Sequence, residues 1–362
     1  MSHFRVVVIG AGQAGLAAGQ QLAHRGLTPG TDFLILDANS GPGGAWRHRW
    51  DSLTLGAAHH IADLPGMAAP LADAHTPASV AIAHYYGAYE QQFDLRVRRP
   101  VKVTAVTMPD SFHLSLSDGT ELTADVVISA TGTWDSPFIP YVPGIDAFQG
   151  RQLHTRDFKD ATDFAGQRTL VVGGGLSAIQ FLLQLEKVTD TVWATRRPPE
   201  WRREGVSPEW GRNVENRVRS HVFAGEPPGS VVSSTGIPAR PEYRAGVERG
   251  LLISRGMISR ISPTTVAFQG SDSPAAYGWD PFPAGMELEV DTIFWNTGFR
   301  HSLNHLAPLQ LRNSRGGIDM IDEVTPLRNP RLLLAGYGST ASTVGATRAG
   351  RLAARRAIGE LQ

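Results

Sequence analysis

Not one of the chain's 362 residues is cysteine. That excludes electron transfer through a redox-active C-x-x-C pair, and it removes the thiolate ligands of zinc and iron–sulfur sites. Charge asymmetry is missing as well: 34 lysines and arginines face 34 aspartates and glutamates. With no basic field and no block of like charge, neither a nucleic-acid partner nor a charged tail is expected. No uncharged apolar run approaches the roughly 18 residues of a membrane span, so no membrane partner is expected either. Met1 to Arg5 leads straight into a strand pattern rather than a secretory signal, which makes the cytoplasm the expected location. His59-His60 and the other histidines lack metal-ligand spacing, so no metal site is expected.

What the chain does have is glycine, 39 residues of it, and two glycine-rich turns in matching contexts. The first is Val6-Val7-Val8-Ile9-Gly10-Ala11-Gly12-Gln13-Ala14-Gly15; the second is Leu170-Val171-Val172-Gly173-Gly174-Gly175-Leu176-Ser177-Ala178. Each is a short apolar run, a G-x-G-x-x-G/A turn and a helical pattern. In such a turn the first glycine permits the sharp bend and the second lets a pyrophosphate approach the backbone. The third position, Gly15 or Ala178, must be small for close helix packing. Free amides and the dipole at the helix start then hold phosphate. Two such turns predict two dinucleotides on one chain, hence an α/β fold of two Rossmann-like dinucleotide-binding domains with small antiparallel β-meanders.

The residues after each turn distinguish the sites. The first passes through a helix at Leu16 to His24 and a strand at Phe33 to Asp37, an acid 22 residues beyond Gly15. A carboxylate there accepts hydrogen bonds from ribose hydroxyls, as FAD or NAD requires. The second passes through a helix at Ile179 to Glu186 and a strand at Thr191 to Ala194, then Thr195-Arg196-Arg197, with no acid before Glu200. Two guanidinium groups in the acid's place favour a 2′-phosphate, hence NADPH, with NADH still tolerated. The alternative is that Arg196 and Arg197 are ordinary surface arginines.

Between these landmarks the pattern predicts a helix near Pro77 to Phe93 and strands at Val101 to Val106, Phe112 to Leu116 and Glu121 to Ala130, with a tight turn at Ser117 to Thr120. Asp125-Val-Val-Ile-Ser-Ala-Thr-Gly132 echoes Asp291-Thr-Ile-Phe-Trp-Asn-Thr-Gly298, and prolines flank both. The expected division is therefore an FAD-binding domain at 1–138 plus 299–362, with an NAD(P)H-binding domain at 139–298 inserted. Region 198–250 has weak periodicity and reads either as a cover near a substrate cavity or as a long loop with a short helix. A buried strand at Arg331 to Gly336 then precedes a helix at Val344 to Ile358, capped by Ser342 or Thr343. That helix either aims its positive end at a reduced flavin or simply packs with a solvated arginine face.

Phe148-Gln-Gly150-Arg-Gln-Leu-His154-Thr-Arg-Asp-Phe158 fits the pattern F-x-G-x-x-x-H-x-x-x-[FYW]. Gly43-Gly44-Ala45-Trp46 fits G-G-x-W, and Ala130-Thr131-Gly132 with Pro137 to Gly144 fits A-T-G…P…P-G. In this combination the chain resembles the flavin-containing monooxygenases and the related Baeyer–Villiger monooxygenases, most of all the short bacterial flavoprotein monooxygenases, over nearly its whole length.

The resemblance implies an NADPH-using FAD enzyme that activates O2 as a C4a-(hydro)peroxyflavin. It would oxygenate a small molecule, by sulfide or amine oxidation or by insertion beside a ketone, and a homodimer is a family-level expectation. A flavin reductase or oxidase without oxygen insertion is the alternative. The same likeness puts Gly44, Trp46, Arg49, Val103, Thr131, Gly132, Ser177, Gly298, Gly336 and Thr343 near the cofactors. It puts His154 at the hinge, coupling coenzyme binding to the flavin or else satisfying backbone groups. Asp51 is a candidate for shaping the flavin's reactive face or else a loop carboxylate. Two departures stand out: Gly336-Tyr337-Gly338 contains no aspartate for the ribityl chain, and Leu53 to His60 contains no asparagine.

Overall fold

A computed structural model describes residues 1–56, 58, 61–69, 73–202, 208–229, 236–238 and 240–362. It divides into two compact units, one of residues 1–136, 213–231 and 301–362, the other of residues 137–212 and 232–300. The chain therefore crosses near the proline-flanked segments, and it also sends 213–231 into the first unit. His59 and His60 lie outside the described residues.

The first unit starts with β1 (Ser2–Ile9), α1 (Gln13–His24) and β2 (Phe33–Leu36), continues through α2 (Ala78–Gln92), and forms a meander of β3 (Val103–Thr107), β4 (Phe112–Leu116) and β5 (Glu121–Ser129). β1 pairs in parallel with both β2 and β5, while β3, β4 and β5 pair antiparallel in sequence. Alternate residues of β1 enter opposite cores. Val6 and Val8 pack with Phe33, Ile35 and α1, whereas Val7 and Ile9 pack with Leu34, Leu36 and the meander. Burial on both faces explains why β1 and β2 read as continuous apolar runs rather than alternating ones.

The second unit holds β6 (Arg151–His154), β7 (Arg168–Val172), α3 (Leu176–Leu185) and β8 (Asp190–Ala194). After α4 (Pro208–Phe223), which begins in this unit and runs into the first, come α5 (Pro241–Glu248), β9 (Ile258–Ile261), β10 (Thr265–Phe268), β11 (Glu287–Glu289) and β12 (Thr292–Trp295). A parallel sheet runs β6-β12-β7-β8, and an antiparallel one runs β11-β10-β9. One face of the parallel sheet packs Leu170, Val172, Ile293 and Trp295 against Val266 and Phe268. On the other, Phe158, Phe164, Phe181 and Phe294 meet with ring centroids 4.6 to 5.9 Å apart. The chain closes in the first unit with β13 (Leu332–Leu334), parallel to β5, and α6 (Thr343–Glu360).

Two features bear on the sequence reading. The echoed segments are topological equivalents: β5 and β12 each lie parallel to the strand that feeds a glycine turn. Among the described residues of region 198–250 there are two helices, one of 16 residues and one of 8, where the sequence pattern predicted at most a short one. Proline starts each of them, where its missing N–H costs nothing, and α4 buries Val218 and Val222 along a stripe too narrow to stand out among charges.

Candidate functional site: two nucleotide cradles

The first cradle is built where β1 meets α1. Gly10 has φ +102°, and its N–H donates to the Leu36 carbonyl at 2.7 Å. No side chain caps the start of α1 at Gly12, so its first amides are available to phosphate. A Cβ on Gly44 would stand 2.8 Å from Gly12 Cα, which seats the short turn Gly44–His48 directly over the glycine loop. Asp37 is buried and braces the loop: Oδ2 accepts from Ala11 N and Oδ1 from Asn39 N, each at 2.7 Å. The sequence pattern points Asp37 at ribose and does not reveal this bracing of the loop. Each oxygen can accept one more bond, so the two duties are compatible.

The remaining first-unit candidates are spread around this edge. Thr131 Oγ1 donates to the Ser302 carbonyl at 2.8 Å, and Gly132 O accepts from Ser302 N at 2.9 Å, fixing the turn after β5. Val103 is buried in the core at the start of β3, so only its backbone could face a nucleotide. Gly336 N donates to Thr340 Oγ1 at 3.2 Å. Thr343 is the first residue of α6, and its carbonyl accepts from the Gln13 side chain of α1. Ser342, rather than Thr343, is the cap, accepting from Gly345 N at 2.9 Å.

The start of α6 also meets Glu215 of α4, which sequence reasoning did not single out. Ser342 Oγ lies 3.3 Å from Glu215 Oε1, and Arg348 Nη2 lies 3.2 Å from Oε2. Arg348 also bonds Glu323, and Arg356 bonds Asp322. These contacts fasten α6 to α4 and pair two of its arginines with carboxylates.

Trp46 and Arg49 leave the Gly44 turn together. The Arg49 guanidinium carbon lies 4.2 Å from the ring centre of Trp134, 5.8 Å from Trp46 and 5.9 Å from Trp50. Its Nε is sealed from solvent without a partner, and burial lowers its pKa to about 10. Asp51, two residues on, is exposed on a turn and has no side-chain partner among the described residues.

The second cradle repeats the geometry in the other unit. Gly173 has φ +142°, and a Cβ there would lie 2.2 Å from the Asn296 carbonyl oxygen. Trp193 Nε1 donates to Gly173 O at 2.7 Å. No side chain caps α3 at Gly175; Ser177 is half-buried in its first turn, and Ala178 is fully buried against the sheet. Thr195 is buried and works on its own loop, donating from Oγ1 to Arg197 O and accepting from Ser254 Oγ, both at 2.7 Å. That bend leaves Arg196 and Arg197 exposed, with no ion pair among the described residues.

His154 ends β6 with both ring nitrogens engaged. Arg156 N donates to Nδ1 at 3.2 Å, which makes Nε2 the protonated nitrogen and the donor to Gly298 O at 2.9 Å. Its ring meets Phe299 edge-on at 4.8 Å. The neutral imidazole thus ties β6 to the turn after β12 and satisfies a backbone group with each ring nitrogen. Burial lowers its pKa, against the pull of the Gly298 carbonyl and Asp157.

In the first unit His305 is buried too, with Nε2 3.2 Å from Ser129 Oγ, and burial, helped by Lys102, brings its pKa down to about 4. Both histidines bind a proton more weakly folded than unfolded. Their stabilisation is complete above an unfolded pKa of about 6.5 and is lost as pH falls toward the folded value. Denaturant titration at pH 7.5 and pH 4 should therefore show His305→Gln losing less stability than the parent, by on the order of 2 to 3 kcal/mol. Equal losses would mean that the fold leaves the proton affinity of His305 unchanged from the unfolded chain.

A family model described as pyridine nucleotide-disulphide oxidoreductase matches residues 7–225. The chain belongs to this family. A flavin-containing monooxygenase from Stenotrophomonas maltophilia is 32% identical, with a TM-score of 0.79 and 99% of each chain covered. This places the chain among the flavin-containing monooxygenases. A Baeyer–Villiger monooxygenase of Streptomyces coelicolor is 27% identical over 82% of the chain, and the chain spans only 64% of that relative's length. The bacillithiol disulfide reductase of Bacillus cereus, 19% identical with a TM-score of 0.70, shares the fold. Family membership brings FAD and NAD(P) as cofactors, and the uncapped helix starts and glycine cradles fit them. It does not bring disulphide chemistry, for the chain has no thiol. Among the described residues no group of side chains suits a metal ion, and no helix is long and apolar enough to cross a membrane.

Proposed function

We propose that the protein is an NADPH-dependent FAD monooxygenase that adds one atom of O2 to a small organic substrate, at a sulfide or amine or beside a ketone. The observation that carries this is a second dinucleotide cradle in a chain without a single thiol. Electrons delivered there have no disulfide of this chain to reduce. Bound FAD supplies hydride acceptance and oxygen activation. The chain's own part is to hold and orient. Gly10, Gly12, Gly44 and the open start of α1 receive the flavin's phosphates, and Asp37 receives its ribose. Gly173, Gly175 and the start of α3 receive the coenzyme's phosphates, with Arg196 and Arg197 on the 2′-phosphate. His154 fixes the turn that carries Gly298.

Anaerobic mixing with NADPH should bleach the flavin. Admitting oxygen with a thioether or a ketone should then give oxygenated product in step with NADPH consumed. An unbleached flavin would overturn the reading. Complete conversion of oxygen to H2O2 with every substrate would favour the reductase alternative, which the absence of asparagine from Leu53 to His60 also suits.

A further inference from the structure

Arg49 is a cation without a counter-charge among the described residues. Its Nε is sealed from solvent and bonds to nothing. Its guanidinium forms no hydrogen bond and no ion pair among the described residues, and the residue as a whole stays half-buried. The inner edge of the fork is therefore enclosed while its Nη groups stay within reach of solvent. Stacking on indole offsets part of the desolvation of a guanidinium, but it leaves the N–H donors unused, and burying polar groups without partners is costly. A planar fork with enclosed faces and free outer donors matches a planar oxyanion bound through two parallel hydrogen bonds.

The surroundings narrow the class of anion. Phosphates of a dinucleotide already have the uncapped start of α1 and the Gly12–Gly44 cradle. Arg49 sits instead among indoles: Trp134 at 4.2 Å, with Trp46 and Trp50 beyond it, the last two only half-buried. Open indole surface next to a bidentate fork suits an apolar ring that carries a carboxylate. Arg47, the nearest arginine in sequence, is already committed to the Pro42 carbonyl and Ser40.

We infer that Arg49, walled by Trp46, Trp50 and Trp134, is the receptor for the carboxylate of an aromatic acid, and that such acids are the substrate class of this protein. The inference rests on the monooxygenase reading only in taking the bound acid as the compound oxygenated; the binding site stands without it.

Calorimetric titration of the FAD-loaded protein tests it, with phenylacetate and indole-3-acetate each compared with its neutral amide. The acids should bind roughly ten- to a hundredfold more tightly than the amides. R49M should abolish the preference while keeping its FAD, and R49K should keep part of it, having the charge without the fork. Equal binding of acid and amide by the parent protein, or no binding of either, overturns the inference. So does a preference that survives in R49M. Loss of FAD from soluble R49M would assign the fork to the cofactor's phosphates and also overturn it. Should R49M fail to fold, the parent comparison and R49K still decide. No arm of the titration consumes NADPH or oxygen, so failure here and failure of the oxygenation assay are separate results.

Discussion

Gly15→Ala should leave the protein largely insoluble, and any soluble fraction should carry no flavin. A Cβ at this position would lie 1.8 Å from the Gly10 carbonyl oxygen and 2.9 Å from its carbon, and both obstacles are backbone. Gly10 cannot yield, because its N–H is bonded to Leu36 O at 2.7 Å and its own missing Cβ faces Ala130 O at 2.6 Å. Nor can α1 back away. A Cβ on Gly350 would stand 2.1 Å from Ala14 O, so α6 is seated on the outer side of α1. Gln13 fixes that contact through Thr347 Oγ1 at 2.8 Å.

Relief requires moving the helix off β1, which disrupts the core and the phosphate cradle together. Overpacking against side chains costs about 1 to 3 kcal/mol, and an obstacle of fixed backbone on both sides should exceed that. The corresponding place in the second turn is already Ala178, so the reverse change there, Ala178→Gly, should cost only about 1 kcal/mol. Flavin-to-protein ratio and denaturation midpoint check both. A Gly15→Ala protein that purifies yellow, with an unchanged midpoint, would show that the first turn is looser than its geometry.

Why were the cradles legible and their surroundings not? Glycine spacing, the acid after β2 and the arginines after β8 are local patterns: the glycines report a backbone requirement of their own turn, and the acid and arginines the side-chain chemistry at the next strand's end. Asp37 could be assigned to a nucleotide for that reason, but its bond to Ala11 N spans 26 positions and follows only from β1 lying beside β2. Segment 213–231 was read as part of the inserted domain because it lies between that domain's elements. It joins the first unit through contacts that no local pattern announces: Val222 in that unit's core, Gly225 O accepting from Asn313 Nδ2 at 2.9 Å, and Glu215 at the start of α6. Arg49 was legible as a candidate beside Trp46. Its strongest neighbour, Trp134, lies in the segment that follows β5, and only the fold brings the two together.

The arginine pair after β8 gives the sharpest functional test, because its removal should change coenzyme choice and nothing else. Arg196 and Arg197 are exposed and hold no ion pair among the described residues, so Arg196→Gln with Arg197→Gln should shift stability by no more than about 0.5 kcal/mol. A 2′-phosphate on two guanidiniums forms charge-assisted hydrogen bonds that a carboxamide pair cannot replace. The KM for NADPH should accordingly rise roughly ten- to a hundredfold, while the KM for NADH moves by less than about twofold. Because the contact is remote from the nicotinamide and is made equally before and during hydride transfer, kcat should hold for both coenzymes. Thr195→Val supplies the contrast. Its hydroxyl holds Arg197 O and meets Ser254 in a buried bend, so its loss should loosen the whole loop and weaken both coenzymes alike. Stopped-flow reduction across a range of each coenzyme separates the cases. If the glutamine pair weakens NADH as much as NADPH, the arginines are shaping the loop or the general field, and the 2′-phosphate has another partner.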